Sequence, residues 1–381
     1  DIVNTPNMDL IRENGLEFTR AFSNGSATAQ VFPGILFSST KSDGSGAPDN
    51  KDSIATYFKK EGFQTIGLTS NPHTSSYNGY DKGFDVFKDY IKPDEEQNKK
   101  LHRRYLRKAV RKFDFVFNFW RGFRTKHSLP YERAEDLNKD IFSLLNENKK
   151  QFFWVHYMDT HGPYSPPKEY GQKRCPEAFK ERDRLTNVLY SNEVTASNSE
   201  KLWQLYLAET EYLDDQIGKL LETLEKQEDN YIVIFTSDHG EEFGERGRYQ
   251  HSQLFEFNIH VPLVFYGDDI KSSENDKLAS HLDIIPTTLS LLGEDCDKDN
   301  FEGIDLMDKS REDLIIDLSN AQVVLTKDWK MIEADNQYLF DISDNLKEEN
   351  DLYSEKQNKV EELKQKISSM SNDDELSEID I

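Results

Sequence analysis

Four short apolar runs decide what this chain can fold into: Thr65-Ile-Gly-Leu-Thr, Phe152-Phe-Trp-Val-His-Tyr, Tyr231-Ile-Val-Ile-Phe-Thr and Val261-Pro-Leu-Val-Phe-Tyr. Each is nearly continuous rather than alternating, which is how a strand covered on both faces reads. Between the second and third lies a segment beginning at Lys201, with Leu205, Ala208, Tyr212, Ile217, Leu220, Leu221 and Leu224 at helical spacing. Strands alternating with helices predict an α/β fold: a large, mostly parallel central sheet with helices on both faces.

The flanking segments extend this pattern. Pro6 reads as an early helix position, with Thr5 as N-cap and Gly15 as the stop. Leu16 to Phe22 alternates like a strand and ends at Ser23-Asn24-Gly25. Asp283 is placed to cap a helix that stops at Gly293. Three strand-like pieces follow (Asp313-Leu-Ile-Ile-Asp, Val323-Val-Leu-Thr, Tyr338-Leu-Phe-Asp), then a charged helix from Lys356 to Met370. The spacing therefore predicts a large α/β unit over residues 1–295 and a small C-terminal α+β subdomain over 296–381.

Composition sets the limits. At 381 residues the chain exceeds a typical single domain, and 12% aromatic residues supply a core and argue against disorder. The net charge of −24, from 47 basic and 71 acidic residues, excludes a nucleic-acid binder, because phosphate contacts need clustered Lys and Arg. Cys175 and Cys296 lie too far apart for a metal or disulfide framework and read as idle thiols. No run approaches the ~18 apolar residues of a membrane span. The opening Asp1-Ile-Val-Asn-Thr-Pro has no starting Met and no leader pattern, so the N-terminus reads as incomplete and the compartment is not assigned.

One stretch opposes the overall charge. Lys99 to Lys126 holds eleven Lys or Arg and a single acid, Asp114, inside a helical insertion at about 95–130. Leu106, Val110, Phe113, Phe117 and Trp120 form one helical stripe within it. Two readings stand side by side: a solvated basic helix packed on an acidic body, or a surface that touches an anionic membrane or a polyanion.

The chemistry gathers where strands end. Ile232-Val-Ile-Phe-Thr-Ser-Asp238-His239-Gly240 runs a buried strand into adjacent Asp and His, and strand C-termini open on the crevice where α/β proteins bind ligands. A carboxylate beside a neutral imidazole suits Zn²⁺, Mn²⁺ or a similar ion, and Gly240 lets the backbone turn closely. In Trp154-Val-His156-Tyr-Met-Asp-Thr-His161-Gly-Pro, His156 reads as a satisfied core residue and His161 as a presented anion or metal contact. His251, between the Asp238 loop and the next strand, is a third candidate, whereas His260 reads as structural support. Thr28, in Asn24-Gly-Ser-Ala-Thr28-Ala-Gln-Val-Phe-Pro33, opens a helix whose free N–H groups favour an anion; a plain cap is the ordinary alternative.

Together these elements resemble the sulfatase and alkaline-phosphatase superfamily. The resemblance runs through Thr5-Pro-Asn-Met-Asp9, Asn71-Pro-His, Gly83-Phe-Asp-Val-Phe87, His156-Tyr-Met-Asp-Thr-His161-Gly-Pro-Tyr164 and Glu211-Tyr-Leu-Asp-Asp215. It continues through Asp238-His-Gly-Glu-Glu-Phe-Gly244, His260-Val-Pro-Leu263, Asp283-Ile-Ile-Pro-Thr287 and the tail Lys327-Asp-Trp-Lys330 with Asn350-Asp-Leu352. Two departures qualify it. Where sulfatases carry an oxidisable Cys or Ser in Cys/Ser-x-Pro-x-Arg, this chain has Thr28-Ala-Gln-Val-Phe, so formylglycine is not expected. The family's first strand, with its acidic metal ligands, would lie ahead of Thr5 and is missing from this chain.

The resemblance implies a metal-dependent ester hydrolase or transferase. Its substrate would be an anionic phosphate or sulfate ester, with phosphodiesters favoured, cleaved through a covalent Thr28 intermediate. Asp238, His239 and Thr28 would hold the divalent ion (Zn, Mn, Ca or Mg), and His161 and His251 would offset charge on the ester oxygens. A sulfatase working without formylglycine, and a non-catalytic anion-binding protein of the same fold, are the competing expectations.

Overall fold

The computed structural model describes residues 2–41, 46–90, 129–191, 193–227, 230–251, 253–294 and 300–377, with side chains to 369. The basic segment Lys99–Lys126 and Cys296 lie outside these residues. The helices are α1 (Pro6–Asn14), α2 (Thr28–Phe37), α3 (Ile54–Lys60), α4 (Ala134–Leu144), α5 (Lys168–Arg174), α6 (Pro176–Lys180), α7 (Arg182–Ser191), α8 (Ala196–Glu225), α9 (Glu256–Ile259), α10 (Ile284–Leu291) and α11 (Gln357–Ser377). The strands of the larger layer are β1 (Leu16–Phe22), β2 (Gln64–Thr69), β3 (Val86–Lys88), β4 (Gln151–His156) and β5 (Ile232–Thr236). After the small hairpin β6 (Glu242–Phe243) and β7 (Tyr249–Gln250), β8 (Leu263–Gly267) and β9 (Ser273–Ser280) complete it.

The fold is the expected α/β class, and its sheet is hydrogen-bonded in two sections. One is all parallel, in the order β3-β2-β4. The other runs β5-β8-β1-β9; β8 is antiparallel to both neighbours, and β1 and β9 run parallel. Side chains alternate across β4, because successive strand residues point to opposite faces. Phe152 and Trp154 join the core of α2, α3 and α10, whereas Phe153 and Val155 meet Leu220 of α8. Ile217 and Leu221 of the same helix pack with Val233 and Phe235 of β5. Helix α8, with Thr195 as its N-cap, thus covers one face of both sections.

Two caps differ from expectation, and both are supplied from a distance. Thr5 makes no side-chain cap; the Asp214 carboxylate on α8 accepts from the N–H groups of Asn7 and Met8 at 3.1 and 2.8 Å. Asp283 closes a capping box with Ser280 one turn earlier, and it binds the Arg311 guanidinium and the Ile304 N–H rather than capping α10 directly. Strand β9 was not expected, since Ser-Glu-Asn-Asp-Lys has no apolar pattern. It is an edge strand, and its buried part is confined to Leu278, Ala279 and Ser280.

The C-terminal strands β10 (Asp313–Leu318), β11 (Ala321–Thr326), β12 (Trp329–Glu333) and β13 (Gln337–Asp341) form an antiparallel sheet in sequence order. Leu314, Ile316, Val323, Leu325, Ile332 and Phe340 face Phe22, Phe255 and Leu278 of the larger layer. Val324, Met331 and Leu339 face Val360 and Leu363 of α11. Lys330 lies on the inward side of β12, buried and paired with Glu348. Arg246 is held against the same sheet: its guanidinium sits 4.0 Å from the Phe255 ring centroid and donates to the Glu348 carbonyl. Cys175 is buried with a free thiol. Among the described residues, no helix is long and apolar enough to cross a membrane.

Candidate functional site

The C-terminal ends of β1, β2, β4, β5 and β9 release the segments that carry Thr28, Asn71 with His73, His156 with His161, Asp238 with His239, and His281. Thr28 is the first residue of α2, and Ala27 before it has no side-chain oxygen to cap the helix, so N–H donors remain there. The Thr28 hydroxyl donates to Asp238 Oδ2 at 3.0 Å and accepts from Asn71 Nδ2 at 3.4 Å. Asn71 Oδ1 in turn accepts from the His73 N–H at 2.9 Å.

Asp238 and His239 leave β5 on a turn that only glycine permits. A Cβ on Gly240 would stand 2.0 Å from the Phe257 carbonyl oxygen, while the Gly240 N–H donates to Asn258 O at 2.7 Å. His239 Nδ1 donates to the Gly240 carbonyl at 2.8 Å, so Nε2 is the nitrogen turned towards the site. That Nε2 is buried without a partner and faces Asp238 Oδ2 at 3.5 Å. With that nitrogen unprotonated, the pair offers an oxygen and a nitrogen donor that a cation between them would satisfy. Asp238, His239 and Thr28 are thus together, and their oxygen and nitrogen donors fit a divalent ion. Among the described residues no three His, Cys, Asp or Glu side chains cluster as a ready metal centre; here the third donor is a hydroxyl.

The histidines surround this pair. His161 Nδ1 donates to the Gly162 carbonyl at 2.6 Å, and the His251 ring lies tilted 4.3 Å from His239 and 5.4 Å from His161, centroid to centroid. His251 Nδ1 sits 2.8 Å from Glu241 Oε1, and the Tyr164 hydroxyl donates to Glu241 Oε2 at 2.6 Å. His161 and His251, both expected in the site, are brought to it. His156 departs from expectation. It is packed 4.7 Å from the Phe32 ring, yet its Nδ1 has no partner, so it is not a satisfied core residue. His260 is structural as expected, with Nε2 on the Thr19 carbonyl at 2.9 Å.

Burial and charge divide these groups. Burial pushes the imidazoles of His73, His156 and His281 down to about 4, and it lowers His161 as well. Against the same burial, Asp238 is held well below the carboxylate range by His239, His156 and the Thr28 hydroxyl. Glu241 is likewise buried but held down at about 2 by the hydrogen bond and charge of His251. Burial alone would lower His251; its Glu241 partner wins and raises it.

Asn71, His73, Glu241 and His281 escaped the sequence reading. For Asn71 and His73 a signal existed: Asn71-Pro-His directly follows a predicted strand, the same rule that placed His161. His281 follows a strand that has no sequence signature. It reaches the site by donating Nε2–H to the Ser237 carbonyl at 3.0 Å.

Comparison with known proteins follows the same lines. The family model described as Sulfatase matches residues 1–294. A sulfatase of Formosa agariphila is 26% identical over 340 residues, 76% of this chain and 65% of that protein. The phosphatidylethanolamine transferase Mcr-2 of Escherichia coli is 30% identical over 174 residues, 42% of this chain and 31% of that protein. The phosphonate monoester hydrolase of Agrobacterium radiobacter superposes with a TM-score of 0.68 at 16% identity, covering 97% of this chain and 90% of the other, a likeness of fold. The chain spans less than two thirds of the length of the curated relatives it matches.

Proposed function

The chain belongs to the sulfatase family, and we propose that it cleaves or transfers an anionic phosphate or sulfate ester, phosphodiesters foremost, through a covalent intermediate on Thr28. The observation that carries this reading is the Thr28 hydroxyl, 3.0 Å from the ionised Asp238 at the mouth of α2. The similarity to a phosphatidylethanolamine transferase supports the phosphoryl side of the choice. The absence of Cys, Pro and Arg from Thr28-Ala-Gln-Val-Phe supports it as well.

Alkaline-phosphatase-superfamily sulfatases generally use a divalent metal ion, and Asp238, His239 and Thr28 would hold it here. When bound, such an ion lowers the pKa of a coordinated hydroxyl and offsets charge on ester oxygens. The chain's own residues do the rest. Asp238 accepts a hydrogen bond from the Thr28 hydroxyl and aligns it; the hydroxyl proton leaves to water, and the oxygen lone pair attacks phosphorus or sulfur while the bond to the leaving oxygen breaks. The N–H groups at the start of α2 and the Asn71 amide receive the non-bridging oxygens. His251 and His161 are pushed apart electrostatically, as paired acid and base groups are. His251, held by a carboxylate that favours its protonated form, gives the Nε2 proton of its imidazolium to the departing alcohol and is left neutral with Nδ1–H on Glu241. His161, with Nδ1–H committed to a carbonyl, presents an acceptor nitrogen to the water or alcohol that releases the phosphoryl group from Thr28.

The test compares turnover of an aryl phosphodiester with that of an aryl sulfate, with and without added divalent metal. Thr28→Ala should abolish the faster reaction, and rapid quenching should trap phosphate on the Thr28 peptide. Faster sulfate hydrolysis, or full activity in Thr28→Ala, would overturn the proposal.

A further inference from the structure

We propose that Glu241 is a positioning residue: it fixes the tautomer and orientation of His251 and couples the two loops that carry the site's histidines. The proposal rests on the reaction argued above only for its effect on rate; the placement of the His251 proton stands on geometry alone.

Glu241 has one partner for each carboxylate oxygen. Oε1 lies 2.8 Å from His251 Nδ1, and Oε2 accepts from the Tyr164 hydroxyl at 2.6 Å. The side chain is 9% exposed, so water cannot readily replace either contact. With Oε2 taken by the Tyr164 hydroxyl, Oε1 is the acceptor facing the ring, so Nδ1 carries the hydrogen and Nε2 is the nitrogen left for the site. The ring is then held in a crowded place, 4.3 Å from His239 and 5.4 Å from His161.

Tyr164 is itself immobilised. It is 1% exposed, and its ring packs 5.8 Å from Tyr206 and 5.5 Å from Phe243. It belongs to the loop after β4 that carries His161, whereas Glu241 belongs to the loop after β5. One carboxylate therefore ties the His161 loop to the His251 ring. Partners one step removed from the reacting atoms do this in many sites, and losing one costs roughly 10–100-fold in activity.

A carboxylate that merely glues two loops together would show the same contacts, so the test reads the imidazole itself. ¹⁵N ring signals of His251 are recorded in the full chain, well above the imidazole titration range, for parent, Glu241→Ala and Glu241→Leu; the Leu variant, which fills the space without an acceptor, guards against a failure of the Ala variant to fold. The parent should show Nδ1–H, and the variants should shift to Nε2–H or to a mixture. An unchanged Nδ1–H tautomer in the folded variants would overturn the proposal. The kinetic arm is a double-mutant cycle with His251→Ala on an aryl phosphodiester. Glu241→Ala should lower kcat about 10–100-fold with little change in KM, and should cost almost nothing further once His251 is gone. Full additivity would also overturn it. If the parent turns over neither ester while the tautomer moves as expected, the proposed reaction fails and the positioning role stands.

Discussion

His281 gives the sharpest forecast of how this protein responds to acid. It is 1% exposed, its Nε2–H bonds the Ser237 carbonyl at 3.0 Å, and its Nδ1 has no partner. Burial drives its pKa from 6.5 down to about 4, and the nearby Asp238 charge only partly opposes that. Between those two values the unfolded chain binds a proton that the folded chain refuses. Stability therefore rises with pH across this window and is lost as pH falls from 6.5 towards 4. The full gap of about 2.5 pH units is worth about 3 kcal/mol, and about 2 kcal/mol of it is gone by about pH 5. Burial shifts His73 and His156 in the same direction and also to about 4, so each should add to the loss in acid. The assay is equilibrium urea unfolding of parent and His281→Gln at about pH 7.5 and about pH 5. Glutamine can still donate to the Ser237 carbonyl but cannot titrate. The variant should lose about 2 kcal/mol less than the parent between the two conditions. Equal losses would refute the claim that a buried neutral His281 sets the acid limit.

Two further outcomes test the scaffold beneath the site. Gly240→Ala puts a methyl 2.0 Å from a backbone carbonyl that has no room to move, so unfolding should show a loss of about 1–3 kcal/mol together with a fall in turnover. Asp214→Ala leaves the Asn7 and Met8 N–H groups without their cap and should cost about 1–2 kcal/mol. That loss should appear first as faster hydrogen exchange in α1.

Those elements whose burial is uniform were legible in the sequence. The continuous runs at β2, β4, β5 and β8 could only be strands with helices on both faces, and their ends carried Asp238, His239 and His161 into view. Position along the chain also brought Thr28 and His251 into the candidate set. Elements whose stability comes from far away were hidden. β9 is polar over half its length and exists because β1 offers it a parallel partner. The cap of α1 is an aspartate 207 residues distant from Asn7. Glu241 looked like one more acid in an acidic chain, since only tertiary contact reveals that its two oxygens are both taken. His156 misled for the opposite reason: an apolar strand suggested a satisfied histidine, but no partner reaches its Nδ1.

The seat of Arg246 carries a consequence for how the protein breathes. Its guanidinium lies 5.5 and 5.4 Å from the Tyr338 and Phe340 rings as well as over Phe255, and it reaches the Glu348 carbonyl beside the buried Lys330. The loop between Gly240 and His251 is therefore fastened to the C-terminal sheet at one end and to β5 at the other. Local opening follows such fastenings, with each cooperative unit exchanging at its own free energy. The His251 end of the loop would then share the opening rhythm of β12 and β13 rather than that of the central strands. Substitutions far out on the C-terminal sheet would change how long the site stays assembled while touching no reacting atom. That sheet would act as the clock of the site as well as its wall.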